Sequence, residues 1–247
     1  MAAPTSANPE PVVSGGSALR SPAAHLRFWL VAGLGLALDL WSKHWAFHTL
    51  HQGGRRVVIK HVLEFQTMMN SGALFGVGSG MTTLFLLASL MALGLVLWMF
   101  ASSSRRNWLL HVALGGILAG AAGNMYDRIN VQLVELRSPS GHVRFYETKT
   151  SDDGKYLRLY EYPAETDNEP IQRPIAFEKE LPPAAGHVRD FIKIPTKFWG
   201  DQELWPWVFN VADMLLVGGV GILAIRLWRD RGHTTPKAAD PPPPAKA

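Results

Sequence analysis

Asp39 and Lys43 lie four residues apart late in one apolar run, Asn124, Asp127 and Arg128 close another, and Asn210 and Asp213 open a third. An ionisable side chain within a membrane-spanning helix costs roughly 2.5–3.5 kcal/mol on insertion scales, so each of these needs a reason to be there. The i,i+4 spacing puts Asp39 and Lys43 on one helix face, where they can pair, and the i,i+3 spacings do the same for Asn124 with Asp127 and for Asn210 with Asp213. Asp190 follows Gly186-His187-Val188 in a segment that leads back to the last apolar run, and Asn70 stands in Asn70-Ser71-Gly72, a small-residue stretch entering the second. Carboxylates gathered in a poorly hydrated layer cannot all ionise easily. Repulsion and desolvation raise a pKa and leave a shared proton, which is what acid–base chemistry requires. Taken singly, the same residues read equally well as interfacial groups that snorkel to water, cap helix ends or join helices. Their convergence on one level from separate stretches favours a site.

That level exists only if the apolar runs are membrane helices. The 247-residue chain is 47% hydrophobic and 18% charged, against roughly 25% charged in soluble domains. No Asp, Glu, Lys or Arg occurs at 65–104, more uncharged chain than a water-facing surface accommodates. Four segments, 28–47, 81–101, 107–126 and 208–228, are long enough at about 1.5 Å per residue to cross a hydrocarbon core of about 30 Å. The expected fold class is an all-α polytopic membrane protein of four transmembrane helices, with a small extracytoplasmic β-rich part and an inserted β-hairpin. Gly120-Ala121-Ala122-Gly123 predicts close helix packing.

The remaining chain divides by composition. Residues 1–24 and 232–247 are expected to be disordered tails. Residues 25–130 hold the first three helices, with an extracytoplasmic loop at 51–70. Residues 131–185, with ten of the chain's twenty acidic residues, read as an extracytoplasmic insertion. Within it Val143 and Phe145, and Leu157 and Leu159, flank Ser151-Asp152-Asp153-Gly154 as a β-hairpin would. Residues 186–231 carry Asp190 back to the fourth helix. With both termini inside, nine Lys and Arg lie on the inner side against three in the 51–64 loop, which predicts cytoplasmic termini and a polar layer near the extracytoplasmic face.

Several chemistries are disfavoured. Without cysteine there is no disulfide scaffold, thiolate nucleophile, thiolate zinc site or iron–sulfur cluster. His44 and His48, with His51 near, could be metal ligands, but no His-Glu-x-x-His accompanies them and histidines beside Trp41 and Trp45 suit an interface. No Gly-x-Ser-x-Gly elbow or Gly-Lys-Ser/Thr phosphate loop is present. No metal, cofactor or nucleic-acid partner is expected, since the basic residues behind the net charge of +4 mostly flank apolar runs. A carrier would place its polar groups at the bilayer midplane rather than at one end. Intramembrane aspartyl peptidases of another kind would carry Gly-x-Gly-Asp, which is missing.

Asp39-Leu40-Trp41-Ser42-Lys43, Asn70-Ser71-Gly72-Ala73-Leu74-Phe75-Gly76, Gly123-Asn124-Met125-Tyr126-Asp127-Arg128, Gly186-His187-Val188-Arg189-Asp190-Phe191 and Phe209-Asn210-Val211-Ala212-Asp213 together resemble the ordered motifs of the type II (lipoprotein) signal peptidases. The resemblance implies an aspartic endopeptidase of the bacterial inner membrane, acting as a monomer among membrane lipid. It would remove signal peptides from diacylglyceryl-modified prolipoproteins by cutting before the lipidated cysteine. By motif match Asp190 and Asp213 would be the catalytic pair, with Asp39, Lys43, Asn70, Gly72, Asn124, Asp127, Arg128 and Asn210 supporting the pair or contacting substrate. The chain departs from the family in separating the Asn-x-x-Asp-Arg and Gly-x-Val-x-Asp-Phe motifs by 129–185. Gly141-His142-Val143-Arg144-Phe145 imitates the second motif but lacks its Asp. The insertion must therefore leave and re-enter near one point.

Overall fold

Ser21 accepts a hydrogen bond from the Ala24 amide and Pro22 takes the first helical position, so helix α1 starts early and runs Pro22–Leu50. The side-chain cap and the fixed φ of proline both favour initiation there. In the computed structural model, which describes residues 16–72, 82–138, 140–164, 169–197, 200 and 202–231, α1 is preceded by a 3-10 turn at Ala18–Arg20. Residues 16–24 are therefore structured, unlike the tail expected there; 1–15 and 232–247 lie outside the described residues. His51 and Gly53 take positive φ and reverse the chain into strand β1 (Arg55–Ile59), then β2 (Leu63–Asn70). Helices α2 (Thr82–Ala101) and α3 (Trp108–Asn130) follow. Next come β3 (Gln132–Arg137), β4 (Val143–Thr150), β5 (Tyr156–Glu161), β6 (Ile171–Pro174) and a 3-10 helix at Ile175–Glu180. Strands β7 (Ala185–Gly186), β8 (Val188–Lys197) and β9 (Glu203–Phe209) lead into α4 (Val211–Arg231).

The expected all-α class with four spans is corrected on two counts. Among the described residues nine strands form two antiparallel sheets, ordered β1-β2-β8-β9 and β6-β5-β4-β3-β7. Among the described residues three helices are long and apolar enough to cross a membrane, Pro22–Leu50, Trp108–Asn130 and Val211–Arg229, while α2 contributes the shorter apolar stretch Leu86–Ala101. The first residues of the charge-free run at 65–104 belong to β2, a strand in a sheet, and the expected span at 81–101 corresponds to α2. The first sheet was hard to see for the opposite reason at each strand. Strand β1 is exposed at every position and β8 is buried at four successive ones, so neither shows the alternation of a half-buried strand.

Helix α3 is the centre of the bundle. A Cβ at Gly115 would press on the Phe28 carbonyl of α1 and one at Gly120 would overlap the Ala212 carbonyl of α4, so the small-residue stretch does let backbones approach. The contacts Gly115–Phe28 and Gly123–Asp39 make α1 and α3 run the same way, whereas Gly120–Ala212 and Gly219–Ala113 make α4 antiparallel to them. Asp39–Lys43, Asn124–Arg128 and Asn210–Asp213 thus gather at one end of the bundle, where the sheets lie. Phe28, Val96, Phe100, Leu114 and Ile117 pack the other end. Leu26, Trp29, Leu30, Leu34, Leu38 and Trp41 leave the outer face of α1 apolar and exposed, as a lipid-facing helix should be.

The insertion does leave and re-enter at one place: β3 pairs with β7 through Gln132↔Gly186 and Leu133↔Ala185. The hairpin is present, with Gly154 at φ +68° in its turn, but Leu157 and Leu159 pair with Thr150 and Thr148, while Phe145 pairs with Glu135 on β3. Tyr146, Leu157 and Leu159 form its small core.

Candidate active site

Two strands and two helix ends deliver the polar residues to one buried layer. Strand β2 ends at Asn70 and pairs with β8 through Met68↔Asp190 and Asn70↔Val188, which puts Asn70 and Asp190 on one sheet face. Asn70 Nδ2 donates to Asp190 Oδ2 at 2.9 Å. The other carboxylate oxygen, Oδ1, accepts from Asn210 Nδ2 at 2.6 Å. Asn210 stands between β9 and α4. Its backbone amide faces Asp213 Oδ2 at 3.2 Å and its Oδ1 accepts the Asp213 amide at 3.0 Å, a reciprocal cap at the helix start. Asn124 Nδ2 donates to Asp213 Oδ1 at 2.9 Å, and Asn124 Oδ1 accepts from Asn210 Nδ2 at 3.2 Å. The Asp190 and Asp213 carboxyls are thus joined through Asn210 and dressed by three asparagines.

Behind this group lies a second, ionic one. Lys43 Nζ, fully buried, reaches Asp39 Oδ2 at 2.7 Å, Asn124 Oδ1 at 3.0 Å and Asp127 Oδ2 at 3.3 Å. Asp39 Oδ1 accepts the Ala212 amide at 2.8 Å, tying α1 to the start of α4. Asp127 is grasped from the other side by Arg189, through its backbone amide at 3.0 Å, Nε at 3.1 Å and Nη2 at 2.6 Å. Arg128 donates Nη2 to the Gly72 carbonyl at 2.5 Å and Nη1 to the Asn124 carbonyl at 3.3 Å, while the Gly72 amide donates to Asn70 Oδ1 at 2.9 Å. The structure therefore brings all ten sequence-selected residues into one connected layer. Ala73 to Gly76 of the second motif lie outside the described residues.

Burial, with the charge of Asp213 adding to it, pushes the Asp190 carboxyl up to about 8. Beside Asp213 an apolar cleft of about 410 Å³ opens between the sheet and α4, lined by Ile194, Trp205, Phe209, Met214 and Val217. Among the described residues no three His, Asp or Glu side chains are grouped to hold a metal ion, and the His44 and His48 rings pack on each other at 4.0 Å. Arg189 escaped the sequence reading. A charge in an extramembrane strand costs nothing visible in composition, and its one signal was adjacency to Asp190.

The model of the Signal peptidase (SPase) II family matches residues 31–229. The chain belongs to the signal peptidase II family. A lipoprotein signal peptidase of Rhodopirellula baltica is 37% identical over 223 residues, covering 88% of this chain and 78% of that one. Another, of Desulfitobacterium hafniense (strain DSM 10664 / DCB-2), is 24% identical over 204 residues, covering 82% and 94%. The fold is also that of a bacterial membrane enzyme solved at 2.3 Å, with a TM-score of 0.56 at 23% identity over 85% of this chain and 92% of that one. Membership of the signal peptidase II family makes this a membrane protease that removes signal peptides from prolipoproteins.

Proposed function

We propose that this signal peptidase II family member cuts diacylglyceryl-modified prolipoproteins just before the lipidated cysteine, with Asp190 and Asp213 activating a water between them. The observation that carries the reading is the double hold of Asn210 on both carboxyls. Charge balance in the layer supports it further. Asp39, Asp127, Asp190 and Asp213 are four carboxylates against three cations, Lys43, Arg128 and Arg189. A buried layer with one excess negative charge is relieved by one proton. Asp190, pushed up to about 8 by burial and by Asp213, is the better holder of it. Protonated Asp190 polarises the scissile carbonyl and later supplies a proton to the leaving amine. Ionised Asp213 takes the proton of the attacking water. No covalent intermediate is required.

The apolar cleft next to Asp213 suits a substrate that is itself apolar. Asp39, Lys43, Asn70, Gly72, Asn124, Asp127, Arg128 and Asn210 hold the pair in place or touch substrate. Both ends of the bundle's chain path, the start of α1 and the finish of α4, lie opposite the polar layer, and Arg20, Arg27, Arg105, Arg106, Arg226 and Arg229 cluster in sequence around that opposite end. That favours cytoplasmic termini with the site near the extracytoplasmic face. The enzyme works as a monomer among membrane lipid. Incubating Asp190→Asn and Asp213→Asn proteins with a lipid-modified prolipoprotein tests the mechanism: each is expected to stay membrane-inserted and to yield no shortened product. Near-normal turnover by either removes that residue from the pair.

A further inference from the structure

The strand geometry of β8 sends Asp190 and its neighbour Arg189 to opposite faces, and what lies behind Arg189 is the insertion. Asp127 takes the Arg189 backbone amide on one oxygen and the guanidinium, through two nitrogens, on the other. That grip fixes both the height and the rotation of the strand at the residue before Asp190. Asp127 is itself fixed to α1 by Lys43. Tyr162, the residue following β5, lies beside the same guanidinium, and both residues line one polar cleft beside α1. Tyr162 is held in turn. Its ring meets Phe47 edge to face at 5.9 Å. Gln52 donates to the Tyr162 carbonyl at 3.3 Å and to the Phe145 carbonyl at 3.0 Å, and accepts the Phe145 amide at 2.9 Å. The insertion is thus seated on the end of α1, with Tyr162 beside Arg189.

We infer that Arg189 and Tyr162 are positioning residues for Asp190, so that the insertion at 131–185 completes the active site rather than hanging from it. The inference rests on the assignment of Asp190 to the catalytic pair. A carboxyl that must meet both a water and a carbonyl loses rate steeply when displaced, by as much as about a hundredfold for an ångström. If Arg189 merely neutralised Asp127, any cation would serve. Lysine keeps the charge but lacks the planar fork that engages the carboxylate through two nitrogens and fills the cleft beside Tyr162.

The test uses the full chain in a lipid bilayer with a lipid-modified prolipoprotein, measuring kcat and KM for Arg189→Gln, Arg189→Lys and Tyr162→Phe. Expected are a fall in kcat of about a hundredfold for Arg189→Gln, an intermediate fall for Arg189→Lys, and a smaller fall for Tyr162→Phe, all with KM little changed. The Arg189→Lys/Tyr162→Phe double variant should be no worse than Arg189→Lys alone, because the two act in series. Should Arg189→Gln fail to accumulate, the lysine and phenylalanine variants carry the test. Wild-type kcat in Arg189→Gln, full rescue by lysine, or a loss confined to KM would overturn the inference. Asp190→Asn run in parallel separates the two claims. An inactive Asp190→Asn beside a fully active Arg189→Gln overturns the positioning role alone, whereas an active Asp190→Asn overturns the catalytic pair and the positioning role with it.

Discussion

Asn210 donates its side-chain amide to Asp190 at 2.6 Å, and its backbone amide faces the Asp213 carboxylate at 3.2 Å. One residue at a strand-to-helix junction thereby sets the spacing of two carboxyls that come from different elements. Replacing Asn210 with Ala frees the Asp190 oxygen and removes the reciprocal cap on α4. Loss of an oriented donor in a dry site costs roughly 10²–10³-fold in kcat. Asn210→Ala is expected to fall in that range while remaining inserted in the membrane. The measurement is the rate at which a lipid-modified prolipoprotein shortens; turnover close to wild type would detach Asn210 from the pair.

The pH dependence follows from Asp190. Its carboxyl is raised from 3.8 to about 8 by burial, with Asp213 adding to the shift. A group whose folded pKa lies above its unfolded value binds its proton more tightly when folded. Its contribution to stability is therefore complete below the unfolded value and lost as pH rises through the folded one. The melting temperature of the wild type should decline between about pH 4 and pH 8, and Asp190→Asn should lack that part of the decline. Activity should fall above about pH 8 as the proton leaves Asp190. A wild-type and Asp190→Asn pair with parallel melting curves across this window would contradict the assignment.

The polar layer was legible because lipid makes charge conspicuous. Asp39, Lys43 and Asp213 interrupt apolar runs and Asp127 closes one, and their spacings set the helix faces that meet. Asp190 carries no such mark. It lies on a strand outside the apolar runs, and only its motif distinguished it from the other acidic residues of the extramembrane segments. Arg189 had neither mark, and its part emerged only from the clasp on Asp127. The sheets were missed for a physical reason. Alternation is written into a strand with one wet and one dry face, while β1 is exposed throughout and the first four residues of β8 are all buried. The Asp153-Gly154 turn disclosed one hairpin of the insertion; β3, joined to it by a second turn from Ser138 to Gly141 (φ +84°), and β6 were not read as its neighbours.

Lys43 is the cation on which the ionic group depends. It is fully buried and reaches Asp39 at 2.7 Å, Asn124 at 3.0 Å and Asp127 at 3.3 Å. Removing one partner of a buried pair strands the other charge, at about 3–5 kcal/mol. Lys43→Met should destabilise the protein on that scale. Asp39→Asn/Lys43→Met should recover part of the loss, because Asp127 retains Arg189. Denaturant or thermal unfolding of the two variants checks this. Equal stability of the single and double variants would mean that Asp39 does not need the ammonium.

The closeness of α3 to its neighbours is what lets these side chains touch at all, and it is set by glycine. A Cβ on Gly123 would overlap the Asp39 carboxylate that Lys43 holds, and one on Gly120 would overlap the Ala212 carbonyl next to Asp213. A Cβ on Gly116, one turn earlier on the same helix, would meet nothing nearer than 3.6 Å. Overpacking at a tight helix contact costs about 1–3 kcal/mol. Gly120→Ala and Gly123→Ala should each lose stability in that range and lose activity as well, the first because parting α3 from α4 lengthens the Asn124–Asp213 hydrogen bond of 2.9 Å, the second because it displaces the Asp39 carboxylate that Lys43 and the Ala212 amide hold. Gly116→Ala should match the wild type in both melting temperature and cleavage rate. If all three alanine variants behaved alike, the bundle would be tolerating looser packing than the site requires, and the contact between Asn124 and Asp213 would owe nothing to the glycines beneath it.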